Sequence, residues 1–367
     1  MIWSKHSVIL AFSLAAMTPA LAWRPAGTPR LAPPQGALTA ADALARAQAA
    51  CEIGRAQVAS TTQVTQLVGL LGDETRIESP DCSGRSWGGS FGAEPQVCLS
   101  SPAQEAARAL ARLGRMAVGP LAAALADPTS TVRRHAAVAL GLLDDRVAAA
   151  PAVPKLVATL ADADWQVRRD VVWALGETGD RAVLQPVVRT LSDAHPRVRA
   201  IAAHALAGID DTGAVTALIA ALKDEDVEVR EMVAWALGEL EQPRAVPGLV
   251  GTLRDADWRP RVKAAWALGE IESADAVEGL VRALKDAHPR VREMSAWALG
   301  EIGSVQALNG LSGALDDGDW KVRAKAAWAL GELGDARAAD RLTASMKDSH
   351  PGVRKMAAWA LAETLDR

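Results

Sequence analysis

The chain lacks any excess of positive charge. Its 367 residues carry 40 Lys and Arg against 44 Asp and Glu, a formal net charge of -4. No overall basic field draws it to nucleic acid or to an anionic membrane surface, and a nucleic-acid partner is disfavoured. Apolar runs long enough to cross a bilayer, which need about 20 residues, are also missing. The run from Val8 to Met17 is short, and it lies between a start that carries Lys5 and the ending Pro19-Ala20-Leu21-Ala22. A basic start, a short apolar stretch and an Ala-x-Ala end are the layout of a cleaved secretory signal. Residues 1–22 are therefore expected to be a signal peptide cut after Ala22. No Cys follows that cut to take a lipid, and the mature chain should be exported, periplasmic or secreted, with no membrane span.

Cysteine is scarce and odd in number: Cys51, Cys82 and Cys98. Export makes a disulfide the default. Cys82 and Cys98 flank the Gly/Ser-rich stretch 83–92, and closing a loop of that size contributes about 3 kcal/mol in the chain-entropy picture. A Cys82–Cys98 bridge is expected, with Cys51 free or paired elsewhere. The spacing fits no compact Cys/His zinc pattern, so no metal is assigned. No Ser/His/Asp set, phosphate loop or zinc signature stands out either, so no cofactor and no catalytic residue is assigned.

What the chain has in quantity is apolar residues, at 50% of the total, enough for a large core. It also has a repeated tryptophan. Trp173, Trp235, Trp266, Trp297, Trp328 and Trp359 recur at multiples of 31 residues inside the phrase Trp-Ala-Leu-(Gly/Ala)-Glu, with His204 in the one vacant slot. A fixed step of this length marks a stack of one unit that buries side chains against its neighbours. The pairs Val132-Arg133, Val167-Arg168, Val198-Arg199, Val229-Arg230, Pro260-Arg261, Val291-Arg292, Val322-Arg323 and Val353-Arg354 put about eight units in register. Their step is 31 after a first step of 35, which 147–154 lengthens. Residues 102–367 are read as this array. Residues 23–101 are read as a linker, a helical segment from Thr39 and a Cys/Gly-rich loop.

Each unit holds two apolar-periodic segments, such as 181–191 and 196–209, joined by Ser192-Asp193-Ala194-His195. Pro196, Pro289 and Pro351 open second helices, where a missing N–H costs nothing. Asp164, Asp226, Asp257 and Asp319 are suited to cap the others, and Gly179, Gly303 and Gly334 to end them. Trp165, Trp258 and Trp320 each precede His195, His288 and His350 by 30 residues, so much of the array reads as duplication of a 62-residue pair.

These units, such as Leu284-Lys-Asp-Ala-His-Pro-Arg-Val-Arg292 followed by Trp297-Ala-Leu-Gly-Glu301-Ile-Gly303, resemble the HEAT-like repeats of phycobilisome lyases. The resemblance covers about residues 102–367. It implies an all-α fold, a right-handed α-solenoid of stacked antiparallel helix pairs with the second helix on the concave side. Such solenoids most often serve as protein-binding scaffolds. Deoxyhypusine hydroxylases share the architecture and hold iron through His-Glu dipeptides. None occurs here, and the nearest match, Arg134-His135-Ala136-Ala137, has Ala136 in place of the glutamate.

At 100° per residue, Val167, Val171, Ala174, Leu175 and Thr178 form one buried stripe of a second helix, and Trp173 falls outside it. Trp165, Arg169, Trp173 and Glu177 make a ridge on the outward face. The expected partner-binding surface is therefore Trp165, Trp173, Trp235, Trp258, Trp266, Trp297, Trp320, Trp328 and Trp359 beside Glu177, Glu239, Glu270, Glu301, Glu332 and Glu363. An aromatic and acidic surface suits a protein or peptide, cationic in character. The other reading is that the rings lean on one another and shield the Ala-rich helices. Arg168, Arg199, Arg230, Arg261, Arg292, Arg323 and Arg354 are expected to be structural, bonded to turn aspartates such as Asp162, Asp193 and Asp224. His195, His288 and His350 sit too far apart for one metal ion and read as helix-start residues. The function expected is an exported, non-enzymatic scaffold, the alternatives being a lyase- or hydroxylase-like enzyme and a structural spacer.

Overall fold

Turn chemistry sets the helix ends. In the computed structural model, which describes residues 36–78 and 99–365, Asp164, Asp226, Asp257 and Asp319 accept from the amide two residues on at 2.8–2.9 Å. His195, His288 and His350 do the same through Nδ1 at 3.2–3.3 Å, just ahead of Pro196, Pro289 and Pro351. Helices end on left-handed residues: Gly179, Gly303 and Gly334 have φ of 61–65°, while Asp210, Glu241 and Glu272 reach 48–53° without glycine's freedom.

In chain order the first helices are α1 (Ala43–Ala56), α2 (Thr61–Gly69), α3 (Pro102–Leu113), α4 (Arg115–Ala124) and α5 (Ser130–Gly141). Then come α6 (Arg146–Ala149), α7 (Val153–Thr159), α8 (Trp165–Thr178), α9 (Leu184–Thr190), α10 (Pro196–Ile209), α11 (Val215–Ala221) and α12 (Val227–Glu239). The array continues with α13 (Val246–Thr252), α14 (Trp258–Ile271), α15 (Val277–Ala283), α16 (Pro289–Ile302), α17 (Leu308–Ala314), α18 (Trp320–Leu333), α19 (Ala339–Ser345) and α20 (Pro351–Leu365). Helices α1, α3, α5 and every even-numbered helix from α8 onward stack one on the next as a single layer. The shorter helices form the other layer, each packed on the second helix that follows it. The result is an α-solenoid, with Val167, Val171, Ala174 and Leu175 fully buried between layers, as are Val229, Val233, Ala236 and Leu237 two helix pairs later. Each such Val or Leu contributes roughly 1.5–3 kcal/mol of burial, within its own unit and against the neighbouring ones.

The arginines tie unit to unit. Arg168 donates Nε and Nη2 to the carboxylate of Asp193, 25 residues on, both at 2.7 Å. Arg199–Asp224, Arg230–Asp255, Arg261–Asp286, Arg292–Asp317 and Arg323–Asp348 repeat the fork, and Arg133–Asp162 makes it one unit earlier. Nη1 meanwhile donates to carbonyls of its own turn, as Arg230 does to Asp224 at 2.8 Å and Glu225 at 3.0 Å. Among the described residues Arg354 makes only that inner pair, to Asp348 and Ser349. Each aspartate also accepts an amide two residues on, so one carboxylate shapes its turn and joins the preceding unit. Burial pushes the carboxyls of Asp193, Asp224 and Asp255 up, but the arginine fork and the turn amide outweigh it and hold them below the usual value. The Arg323 fork draws Asp348 down to about 2.

Stacking starts well before residue 102. Arg46 donates Nε to Asp73 at 2.8 Å and Nη1 to the carbonyls of Ala40 and Ala41, the same fork, and Asp73 accepts the Thr75 amide. Helix α1 packs directly on α3, so the segment expected to precede the array is a divergent unit of it. The link between Asp73 and α3 carries a two-residue antiparallel bridge, β1 (Ile77–Glu78) against β2 (Leu99–Ser100). Residues 79–98 between them lie outside the described residues, with Cys82 and Cys98, as do residues 1–35, where the signal peptide and most of the linker were expected.

Cys51 is 7% exposed on α1 and is disulfide-bonded. The expected Cys82–Cys98 bridge falls on residues outside those described.

Candidate functional site

Superposing the units on their arginine forks puts one residue of each stacked helix in an equivalent slot, five places after the arginine. Along the layer the slot holds Cys51, Val138, Trp173, His204, Trp235, Trp266, Trp297, Trp328 and Trp359. On α3, which has no fork, the neighbouring Ala109 meets Gly54 as Ala174 meets Gly141, so Arg108 fills its slot.

The rings are neither core residues nor free-standing. Trp173, Trp235, Trp266, Trp297 and Trp328 are half-buried, and Trp359 is 37% exposed. A glycine of the preceding helix makes room for most of them. A Cβ on Gly238 would stand 2.6 Å from Cζ3 of Trp266, and the same holds for Gly269 with Trp297 and Gly300 with Trp328. Gly141 with Trp173 and Gly331 with Trp359 repeat it at 2.5 and 2.8 Å. Each ring thus lays one edge in a niche three residues after the slot of the previous unit, where helix backbones also touch: the Gly269 Cβ would be 3.0 Å from Cα of Ala298. The exception proves informative. In α10 the slot is His204 and the niche position is Ala207, so Trp235 finds no glycine and stacks on the His204 ring instead, at 5.1 Å and 14°.

The glutamates stand four residues after the slot, one turn along the same face. Glu239 is exposed, while Glu177, Glu270, Glu301, Glu332 and Glu363 are half-buried. The surface is less acidic than the row of carboxylates suggests. Partial desolvation by its neighbours and the charge of Glu241 push the Glu239 carboxyl up, against Lys263 of the next helix and a hydrogen bond donated by the Trp235 indole. Burial draws the Lys325 ammonium down while Glu293 and Glu301 oppose it, and its Nζ lies 4.8 Å over the Trp328 ring. His204 is held neutral-leaning by burial, opposed by Glu177. Charges of both signs therefore interleave with indoles along this face.

At the start of the second helices a second aromatic row appears that the sequence reading did not resolve. Trp165 stacks on His195 at 3.7 Å and 1°, Trp258 on His288 at 4.2 Å and 5°, and Trp320 on His350 at 3.8 Å and 17°. The 62-residue duplication is the signal that could have found it, since it pairs each turn Trp with the next turn His. Arg169 and Arg197 flank Trp165 at 5.7 and 5.8 Å, while Trp258 and Trp320 are 36% and 40% exposed. Among the described residues no group of three His, Cys, Asp or Glu could hold a metal ion, and no helix is long and apolar enough to cross a membrane.

The family model for HEAT repeats matches residues 153–220, 188–259, 248–319 and 309–366. The chain belongs to the HEAT-repeat family. No curated protein sequence matches it significantly. Among solved structures it is similar to Kap95p bound to RanGDP (TM-score 0.61, 16% identity, 88% of this chain and 49% of that one). The Kap95:Nup1 complex matches at TM-score 0.60 over the same shares, again at 16% identity. Escherichia coli YibA matches at TM-score 0.51 and 21% identity, over 68% of this chain and 92% of that one. At these identities the likeness is one of fold.

Proposed function

We propose that this HEAT-repeat chain is an exported, non-enzymatic scaffold that captures a protein or peptide along the indole-lined face of its stacked helices. The observation that carries the reading is the division of labour in every ring but Trp235. One edge lies in the glycine niche of the preceding unit, and the remaining surface lies on the face that carries the Glu row, at a fixed step. An extended partner with alternating basic and apolar side chains matches such a surface, through cation–π contact and charge pairing. The Kap95p structures, which hold RanGDP and Nup1, are consistent with partner capture on a HEAT solenoid.

The structural-spacer reading is favoured by the same niches, because packing alone would account for the ring edges. Crosslinking in cells followed by mass spectrometry separates the two. Trp266→Ala with Trp297→Ala should abolish recovery of the crosslinked partner while far-UV dichroism keeps its helical signal. Glu270→Gln with Glu301→Gln, which removes charge and leaves the niches filled, should weaken it. Recovery unchanged in both pairs sinks the binding reading in favour of the spacer.

A further inference from the structure

The indole row is interrupted at its beginning. On α3 and α5 the slot holds Arg108 and Val138, and the space that rings fill elsewhere is a pocket of about 310 Å³, at the lower end of ligand-site volumes. Its apolar wall is Val138, Leu142, Trp173 and Ile201, and its polar rim is Arg108, Arg134 and Arg169. The rim is held by buried acids. Asp170, 6% exposed, accepts from Arg134 Nε at 3.1 Å and from Arg169 Nε at 2.7 Å. Glu105, 2% exposed, accepts from Arg108 Nη1 and the Ser100 hydroxyl, both at 2.6 Å. His135 beside them is pushed toward its neutral form by burial.

Asp170 is shared by two guanidiniums, and Arg134 and Arg169 retain Nη donors beyond those used on it. The nearest competing anion is the half-exposed Glu74, 3.6 Å from Arg134 Nη1. The space admits one large apolar side chain, and the rim offers preorganised donors to a carboxylate next to it. Trp173, the first indole of the row, lines the pocket, so pocket and row adjoin. We infer that this pocket anchors the C-terminal residue of a partner polypeptide, its apolar side chain against Val138 and Trp173 and its α-carboxylate on Arg134 and Arg169. The inference rests on the scaffold reading for the source of the ligand, and on the pocket alone for its chemistry.

The test uses the full chain and fluorescein-labelled peptides of about eight residues ending in Leu, Phe or Trp, each as free acid and as amide, read by fluorescence polarisation. At least one acid should bind about tenfold or more tighter than its amide, the effect of charge-assisted hydrogen bonds. Arg134→Gln with Arg169→Gln should bring that ratio to about one. Val138→Trp, which fills the slot, should abolish binding of acid and amide alike and serves if the arginine variant does not fold. Equal binding of acid and amide, no binding by any peptide, or a ratio unchanged in the arginine variant overturns the inference. So does competition by N-acetyltryptophan at the peptide's own concentration, which would assign the pocket to a small carboxylate. Failure here with crosslinked partner still lost in the Trp266 and Trp297 variants leaves the scaffold reading standing.

Discussion

Gly269 shows how far context can reverse a residue's ordinary effect. In an exposed helix Gly→Ala is worth about 1 kcal/mol of stability. At Gly269 the new Cβ would meet Cζ3 of Trp297 at 2.6 Å and the Ala298 backbone at 3.0 Å, and neither can withdraw without parting two helices. Overpacking of this kind costs roughly 1–3 kcal/mol and outweighs the propensity gain. Gly269→Ala should therefore lower the urea midpoint, whereas Gly251→Ala, on α13 with nothing within 4 Å, should raise it slightly. A gain at both positions would show that the rings do not occupy their niches in solution. The Trp-Ala-Leu-Gly phrase displays this pairing only in part: it shows a glycine three residues after each Trp, but not that the glycine serves the next unit's ring.

Between elements the arginine forks decide how firmly units hold together. Arg230→Ala would leave the Asp255 carboxylate, 10% exposed, without its guanidinium, and the Asp224 and Glu225 carbonyls without a donor. Breaking a buried pair from one side costs about 3 kcal/mol. Because each unit touches only its neighbours, the loss should stay local. Hydrogen exchange in residues 253–261 should accelerate markedly more than in 348–356, and uniform acceleration would contradict the nearest-neighbour picture. Arg230→Met with Asp255→Leu, which removes both charges, should cost less than Arg230→Ala alone.

For the whole molecule the forks set the response to acid. Asp162, Asp193, Asp224, Asp255, Asp317 and Asp348 titrate below their unfolded value of roughly 3.9, so their stabilisation is complete above it and is lost as pH falls through the folded values, about 2 for Asp348. His135 and His204, with folded values lowered by burial, lose stability earlier, as pH falls below roughly 6.5. Glu239, raised, acts in the opposite sense and gains as it protonates. The melting temperature should decline gently from about pH 6.5 and steeply between about pH 4 and 2. A midpoint that holds steady down to pH 2 would mean the forks add nothing to stability.

By itself the sequence determined the helix-pair unit, its step and its caps, because these depend on residues close together: Asp or His before a helix, Pro at its start, a 3.6-residue apolar stripe. It determined the partners of the arginines as well, since one fixed spacing recurs through the array. Where the repeat pattern decays, local signals failed. Arg46 and Asp73 lack the flanking phrase, so only stacking of α1 on α3 reveals the early unit. The niches, the Trp–His stacks and the pocket behind Arg134 and Arg169 were left to the tertiary structure for the same reason. Each is made between successive helices, where the distance of closest approach, set by a glycine or an alanine, decides whether a ring seats, slides onto a histidine or leaves a space.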